Sequence, residues 1–214
     1  YSSAAFYINS CDTKASHLSV HNNTSEDGLN IKNARVQITD SKFYSNFADQ
    51  VDLDFTIGDV QRTEFTNGKS NNGDGLDVSG SRLLIRENQF NGFGDKGISV
   101  GEASQVVIVD SEFVKNRLAV AVKDSSRAYM YRNKFIKNTR IADLYIKKSI
   151  YAAPIVIWAD APILKPQTIR VSKKSQWLER EVDQNFEEIV QSSLGIEGLF
   201  KKIELSNNSA YGTN

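Results

Sequence analysis

Sulfur is almost missing from this chain, with one cysteine and one methionine in 214 residues. A lone Cys11 excludes an internal disulfide framework, and the residue is read as a small buried apolar side chain rather than a nucleophile. Only two histidines are present, His17 and His21. No acidic or cysteine partner stands near them at ligand spacing, so they are read as surface residues. Net charge is missing too: 26 Lys+Arg balance 26 Asp+Glu, which leaves no overall basic footprint for nucleic acid or an anionic membrane. No run of about 18 apolar residues exists to span a bilayer. The opening YSSAAFYINSC shows no basic-then-apolar leader and already reads as strand. Proline is scarce, at three residues, while Asn, Ser, Asp and Gly abound. That balance suits an all-β protein with many tight turns.

What is present is a repeat. GDGLDVSGS at 73–81 returns as GDKGISVGEAS at 94–104. Six segments align on one short strand: GLNI 28–31, DLDF 52–55, GLDV 75–78, GISV 97–100, AVAV 119–122 and DLYI 143–146, at intervals of 22–24 residues. A second column keeps step and ends on Phe43, Phe65, Phe90, Phe113 and Phe135, each followed within three residues by an asparagine: Asn46, Asn67, Asn91, Asn116 and Asn138.

Two strands per repeat with an Asn-rich turn predict a single-stranded right-handed parallel β-helix of about six to eight coils, with rungs about 4.8 Å apart. Each rung buries its apolar face only against the next. The predicted inward set is Val36, Ile38, Phe43, Val60, Phe65, Leu83, Ile85, Phe90, Val106, Ile108, Phe113, Met130 and Phe135 from one sheet. The other supplies Leu29, Ile31, Leu53, Phe55, Leu76, Val78, Ile98, Val100, Val120, Val122, Leu144 and Ile146. The asparagines are expected to bond up and down the stack. A leucine-rich repeat is excluded because its L-x-x-L-x-L-x-x-N frame is missing. A β-sandwich would not hold a 22-residue register.

FYINSC 6–11 and HLSVHNN 17–23 read as an earlier, shorter coil, and APIVIWADAPI 153–163 with QTIRVS 167–172 as later irregular ones. The β-helix is therefore placed at 1–172. From Ser175, a plausible N-cap, to about Ser192 the period changes: Leu178, Val182, Phe186 and Ile189 share one helical face, with Trp177 and Val190 flanking. An amphipathic helix with a frayed tail is expected over 173–214, capping an open end of the solenoid or docking a neighbouring domain or subunit.

The outward positions of the first strand column carry acid. Asn30, Asp54, Asp77, Ser99, Ala121 and Tyr145 occupy it, Asp52 joins on the same face, and Asp74, Asp95, Lys96 and Glu102 adjoin at the turns, with Lys123, Asp124, Lys147 and Lys148 farther along. Carboxylates on neighbouring rungs repel unless something intervenes. One answer is a calcium ion held by Asp52, Asp54 and Asp77. Another is a shared proton suited to acid–base work on a glycosidic bond. The third is a ladder of compensating pairs, Asp74 and Asp95 with Lys96 and Glu102 with Lys123.

On these repeats, residues 5–165 resemble the right-handed parallel β-helix proteins of the pectin-lyase-like superfamily. DGLDVSGS, GDKGISVGE and VKDSS also look like a bacterial cell-surface subgroup. The resemblance implies binding or processing of acidic polysaccharide on an outer face, outside the cell or at its surface. Compared with polygalacturonase-type glycosidases, Asn72-Gly73-Asp74 is similar to the N-T-D motif. Gly94-Asp95-Lys96 stands where D-D would, with lysine in place of the second aspartate. No histidine follows position 21, and Ala121-Val122-Lys123 offers only the lysine of Arg-x-Lys. These departures argue against inverting hydrolysis. The resemblance to polysaccharide lyases would make Lys96 or Lys123 the base.

Three readings follow. The first is a polysaccharide-binding or scaffold module. The second is a lyase or hydrolase with Asp54, Asp77, Asp95 and Lys96 as catalytic candidates and Asp74, Glu102, Lys123 and Tyr145 binding substrate. The third is a subunit assembling through its solenoid ends or terminal helix.

Overall fold

A computed structural model describes residues 3–66, 73–159 and 168–180. The chain divides into Tyr1–Arg180 and Glu181–Asn214, and every described residue belongs to the first unit. Among the described residues no helix is long and apolar enough to cross a membrane.

The chain winds through three parallel sheets. One carries eight strands, Ala4–Asn9, Asp27–Lys32, Val51–Asp54, Asp74–Ser79, Lys96–Gly101, Leu118–Lys123, Arg140–Tyr145 and Ile169–Val171, each paired with the next. The second also has eight, from Thr13–Ser16 to Gln176–Arg180, and the third has six, from Ser19–His21 to Lys134–Ile136. Each coil thus holds three strands where two were expected. The segment VQITDSKF is not one strand but two, because Asp40 takes a positive φ of 52° and bends the chain. Its counterparts Arg62, Glu87, Asp110 and Arg132 do the same one coil after another.

The residue after each bend closes the corner. Ser41, Thr63, Asn88, Ser111 and Asn133 stack, so that Asn88 accepts from the Thr63 N–H at 2.9 Å and donates to the Val60 carbonyl at 2.8 Å. Asn133 in turn accepts from the Ser111 N–H and donates to Ile108. At the first corner Ser81 accepts from the Thr56 N–H at 2.8 Å, and Ser104 from that of Ser81 at 3.0 Å. At the third corner Asn116 donates to the Phe90 carbonyl and Asn138 to that of Phe113. These amides and hydroxyls, buried except for the half-buried Asn138, satisfy backbone groups that no ladder strand can reach. Asn91 is outside this column: it lies one residue after Phe90 on a strand, and Phe93 fills the corner position, its N–H donating to Asn116. Asn67 lies outside the described residues.

The core follows the expected inward set closely. Phe43, Phe65, Phe90, Phe113 and Phe135 stack with ring centroids 4.7–5.7 Å apart, near the rung spacing. Trp158 and Trp177 continue the stack. Two predicted core residues are instead exposed, Phe55 at 57 % and Ile146 at 38 %. Both reflect a slip of two residues in the predicted register. Leu53 pairs with Ile31, not Leu29, and Leu144 pairs with Val122, not Val120. Because side chains alternate with a period of two, that slip preserves inside and outside along the strand and shows only at its end. Phe55 then falls on the corner, with φ 52°. Cys11 is exposed as well; it falls just after the positive-φ Ser10, at the outer rim of the first coil. His17 and His21 are exposed as expected, and His21 stacks on Tyr44.

Gln176–Arg180, assigned above to the start of a helix, is a strand paired in register with Ile155–Ala159. Trp177 opposite Val156 is worth more as the next apolar rung than as a helix flank, and five residues fit either period. The remainder of the expected helix, 181–192, and the tail lie outside the described residues.

Candidate acidic binding face

The true register rearranges the acidic residues into three rows across the first sheet, in which Asp49, Asp52, Asp54 and Asp77 are half-buried and Asp27 and Asp74 buried. The middle row runs Tyr7, Asn30, Asp52, Asp77, Ser99, Ala121 and Asp143. The row beside it runs Lys32, Asp54, Ser79, Gly101, with Lys123 and Tyr145 beyond. At the corner where strands enter the sheet stand Asp27, Asp49, Asp74 and Lys96. Asp74 pairs with Lys96, and the Asp74 N–H donates to the Asp49 carboxylate at 2.6 Å. Asp27, Asp49, Asp52, Asp54, Asp74 and Asp77 thus share one face over three successive coils.

Two of these carboxylates have cations. Lys32 reaches Asp54 at 2.7 Å. Lys96 donates to both oxygens of Asp74 at 3.1 and 3.2 Å and also to Asp95, which Arg117 grips from the other side. Among the described residues no lysine or arginine forms an ion pair with Asp27, Asp49, Asp52 or Asp77. Asn30 serves two of them, its amide donating to Asp52 at 2.5 Å and to Asp27 at 3.4 Å.

Burial and mutual repulsion push these acids up. Burial is the main cause at Asp49, raised to about 9 with Asp74 adding repulsion, and at Asp52, raised to about 8 beside Asp54 and Asp77. Asp74 rises to about 7, burial again leading while Lys96 opposes it, and buried Asp27 rises to about 6. Burial works against the charge of Lys96, but Asp74 and Asp95 outweigh it and hold the ammonium above the ordinary lysine range. Burial likewise opposes the charge on Asp95, yet Lys96 and Arg117 bring its carboxyl below the usual range. Tyr145, half-buried, has its phenol raised by burial, and it feels the charges of Lys96, Asp95 and Asp74.

The expected residues are therefore only partly gathered. Asp74, Asp95 and Lys96 form the ion-pair cluster, and Asp52 and Asp77 face one another. Asp54 is not beside Asp77: it pairs with Ser79 in the sheet and with Lys32 by charge. Of the expected calcium set Asp52, Asp54 and Asp77, only Asp77 belongs to the carboxylate group that converges, which is Asp49, Asp74 and Asp77, with one oxygen of each within 4.8 Å of the others. Glu102 pairs with Lys148 rather than Lys123. Lys123 is buried, its stem against Gly101. Asp124 is spent on the backbone, accepting from the N–H groups of Lys147 and Lys148. Asn72 lies outside the described residues.

Sequence reasoning missed Asp27 and Asp49. A signal for the first existed: the tripeptide DGL stands at 27–29 and again at 74–76, followed by Asn30 in one coil and Asp77 in the other. Asp49 needed the register corrected by two residues.

Three parallel sheets wound into a solenoid, with corner ladders and a polar outer face, define a parallel β-helix module. Residues 3–153 match the family model described as right handed beta helix region, and the chain belongs to that family. Its membership is consistent with the pectin-lyase-like resemblance. None of the curated proteins matches the chain.

Proposed function

We propose that this β-helix binds polysaccharide outside the cell or at its surface, along the outer face of the first sheet. The observation that carries the reading is the face itself: six aspartates on three adjacent coils, four of them without a cationic partner among the described residues. Structural charge ladders elsewhere on this solenoid look different. Asp40 with Arg62 and Asp110 with Arg132 are neutralised two by two, whereas this face keeps its acid. Carboxylates and amides are suited to accept and donate hydrogen bonds to sugar hydroxyls. Tyr7, 51 % exposed at the head of the middle row, and Tyr145 near its far end add amphipathic rings.

The raised carboxyls of Asp49, Asp52 and Asp74 favour a second reading, acid–base chemistry on the bound glycan, since groups that hold protons near neutrality can donate them. In that reading Lys96 is an electrostatic clamp. Two carboxylates keep it charged, which removes it as a base. A screen of acidic and neutral polysaccharides, with and without calcium, separates the two by reading both retention and new reducing or unsaturated ends. Retention without new ends is expected. New ends that vanish in Asp77→Asn would establish the enzyme instead, and no retention of any polymer would remove the glycan reading altogether.

A further inference from the structure

We propose that Phe55 is the floor of a sugar subsite at the corner where the chain leaves the first sheet, and that it takes a pyranose ring with equatorial hydroxyls, of the β-1,4-linked glucose or xylose class. The subsite rests on the glycan reading of the adjoining face and narrows it to one kind of sugar. The corner is a column of left-handed residues, Ser10, Asn33, Phe55 and Gly80 on four successive coils, each donating its N–H to the coil that follows. Asparagine and glycine are what such a φ favours, and a bulky side chain is an outlier there. Phe55 nonetheless takes φ 52° and stays 57 % exposed. One residue thus goes against backbone preference and burial together, and such breaches collect where a site is built.

The ring is also held in place. A Cβ added to Gly80 would stand 2.5 and 2.6 Å from two of its carbons, so the glycine on the next coil is what leaves room for it. On the coil before, Asn33 is exposed and its amide donates to Asn9 at 3.0 Å. Asp54, the residue preceding Phe55, meets Lys32 at 2.7 Å. A fixed aromatic surface rimmed by amide, carboxylate and ammonium fits a ligand that is apolar on its face and polar around its edge. A pyranose with equatorial hydroxyls has that form. Its axial C–H bonds, slightly positive, lie on the negative face of the phenyl ring, and its hydroxyls reach the rim groups. An α-1,4-linked galacturonan stacks less well, because an axial oxygen interrupts its apolar face. A protein partner would need a wider apolar surface than one ring.

The test is calorimetry on the full chain with cellohexaose, a β-1,4-linked glucose hexamer, and with polygalacturonate, with thermal unfolding followed alongside. Wild type should bind the hexamer saturably. Phe55→Asn puts at this corner the residue type that Asn33 supplies one coil earlier. It should weaken the hexamer by about fivefold or more, leave polygalacturonate unchanged, and raise the Tm, because the backbone strain and the exposed ring both go. Phe55→Tyr, which keeps the ring, should hold hexamer affinity and Tm at their wild-type values. Full hexamer affinity in Phe55→Asn would overturn the subsite, as would a Tm that falls or a variant that fails to fold. A loss confined to polygalacturonate would overturn the sugar class. Retention of other polymers with no hexamer binding removes the subsite alone, whereas retention of no polymer at all removes the glycan reading beneath it.

Discussion

Asp52 and Asp77 face each other directly on adjacent coils of the first sheet, and among the described residues neither has an ion-pair partner. Opposed like charges weaken a sheet, so this pairing costs stability once pH is high enough to ionise Asp52. Such an arrangement has a measurable signature in pH.

Asp27, Asp49, Asp52 and Asp74 are raised to about 6, 9, 8 and 7, against about 3.9 in an unfolded chain. A carboxyl whose folded value is the higher one binds protons better when folded. Its contribution is therefore fully present below the unfolded value and is lost as pH rises through the folded one. In EDTA the Tm should fall as pH rises from about 5 to 9, with Asp54, Asp77, Lys32 and Lys96 as the other charges on the face. Asp52→Asn should flatten the fall. A Tm that climbs over that range would contradict the assignment.

Lys96 should be structurally costly to remove. Lys96→Met leaves Asp74 and Asp95 facing one another without it, and breaking a buried pair from one side costs about 3 kcal/mol or more. The double change Lys96→Met with Asp74→Asn should recover part of that loss. Denaturant unfolding of the three proteins measures it, and equal midpoints for the single variant and wild type would refute the role.

The corner ladder makes a separate prediction. Asn88→Ala strips the Thr63 N–H and the Val60 carbonyl of their partners inside the protein, at about 1–3 kcal/mol. Asn88→Ser should recover part of it, since Ser41 and Ser111 hold the same position on other coils. Chemical denaturation again reads the difference.

Phe90 is fully buried between Phe65 and Phe113. Phe90→Ala should cost about 3–5 kcal/mol, and Phe90→Leu clearly less. A loss under about 1 kcal/mol for the alanine variant would mean the ring stack is not the core it looks to be.

The sequence pattern and the structure agree where a physical rule has one solution. The Phe43 to Phe135 column could face only inward, and a beat sustained at 22–25 residues over five coils admits only a solenoid. Where the rule was degenerate, the reading slipped. Alternation is blind to a shift of two, which hid Asp49 and put Phe55 and Ile146 in the core. The bend at Asp40 was hidden for another reason, since left-handed turns are made here by Asp40, Arg62 and Glu87 rather than glycine. Trp177 and Leu178 suit a helix or a strand equally over so short a stretch, and only the pairing with Val156 and Ile157 decides between them.

The most direct test of the acidic face is the affinity of the full chain for the polysaccharide it retains best in the screen, measured by calorimetry for wild type, for Asp52→Asn with Asp77→Asn, and for Asp40→Asn on a distant corner. The predicted result is binding that the double variant loses by about tenfold or more, at two polar contacts of roughly 1 kcal/mol each, and that Asp40→Asn keeps. Equal affinity in all three folded proteins would contradict the account.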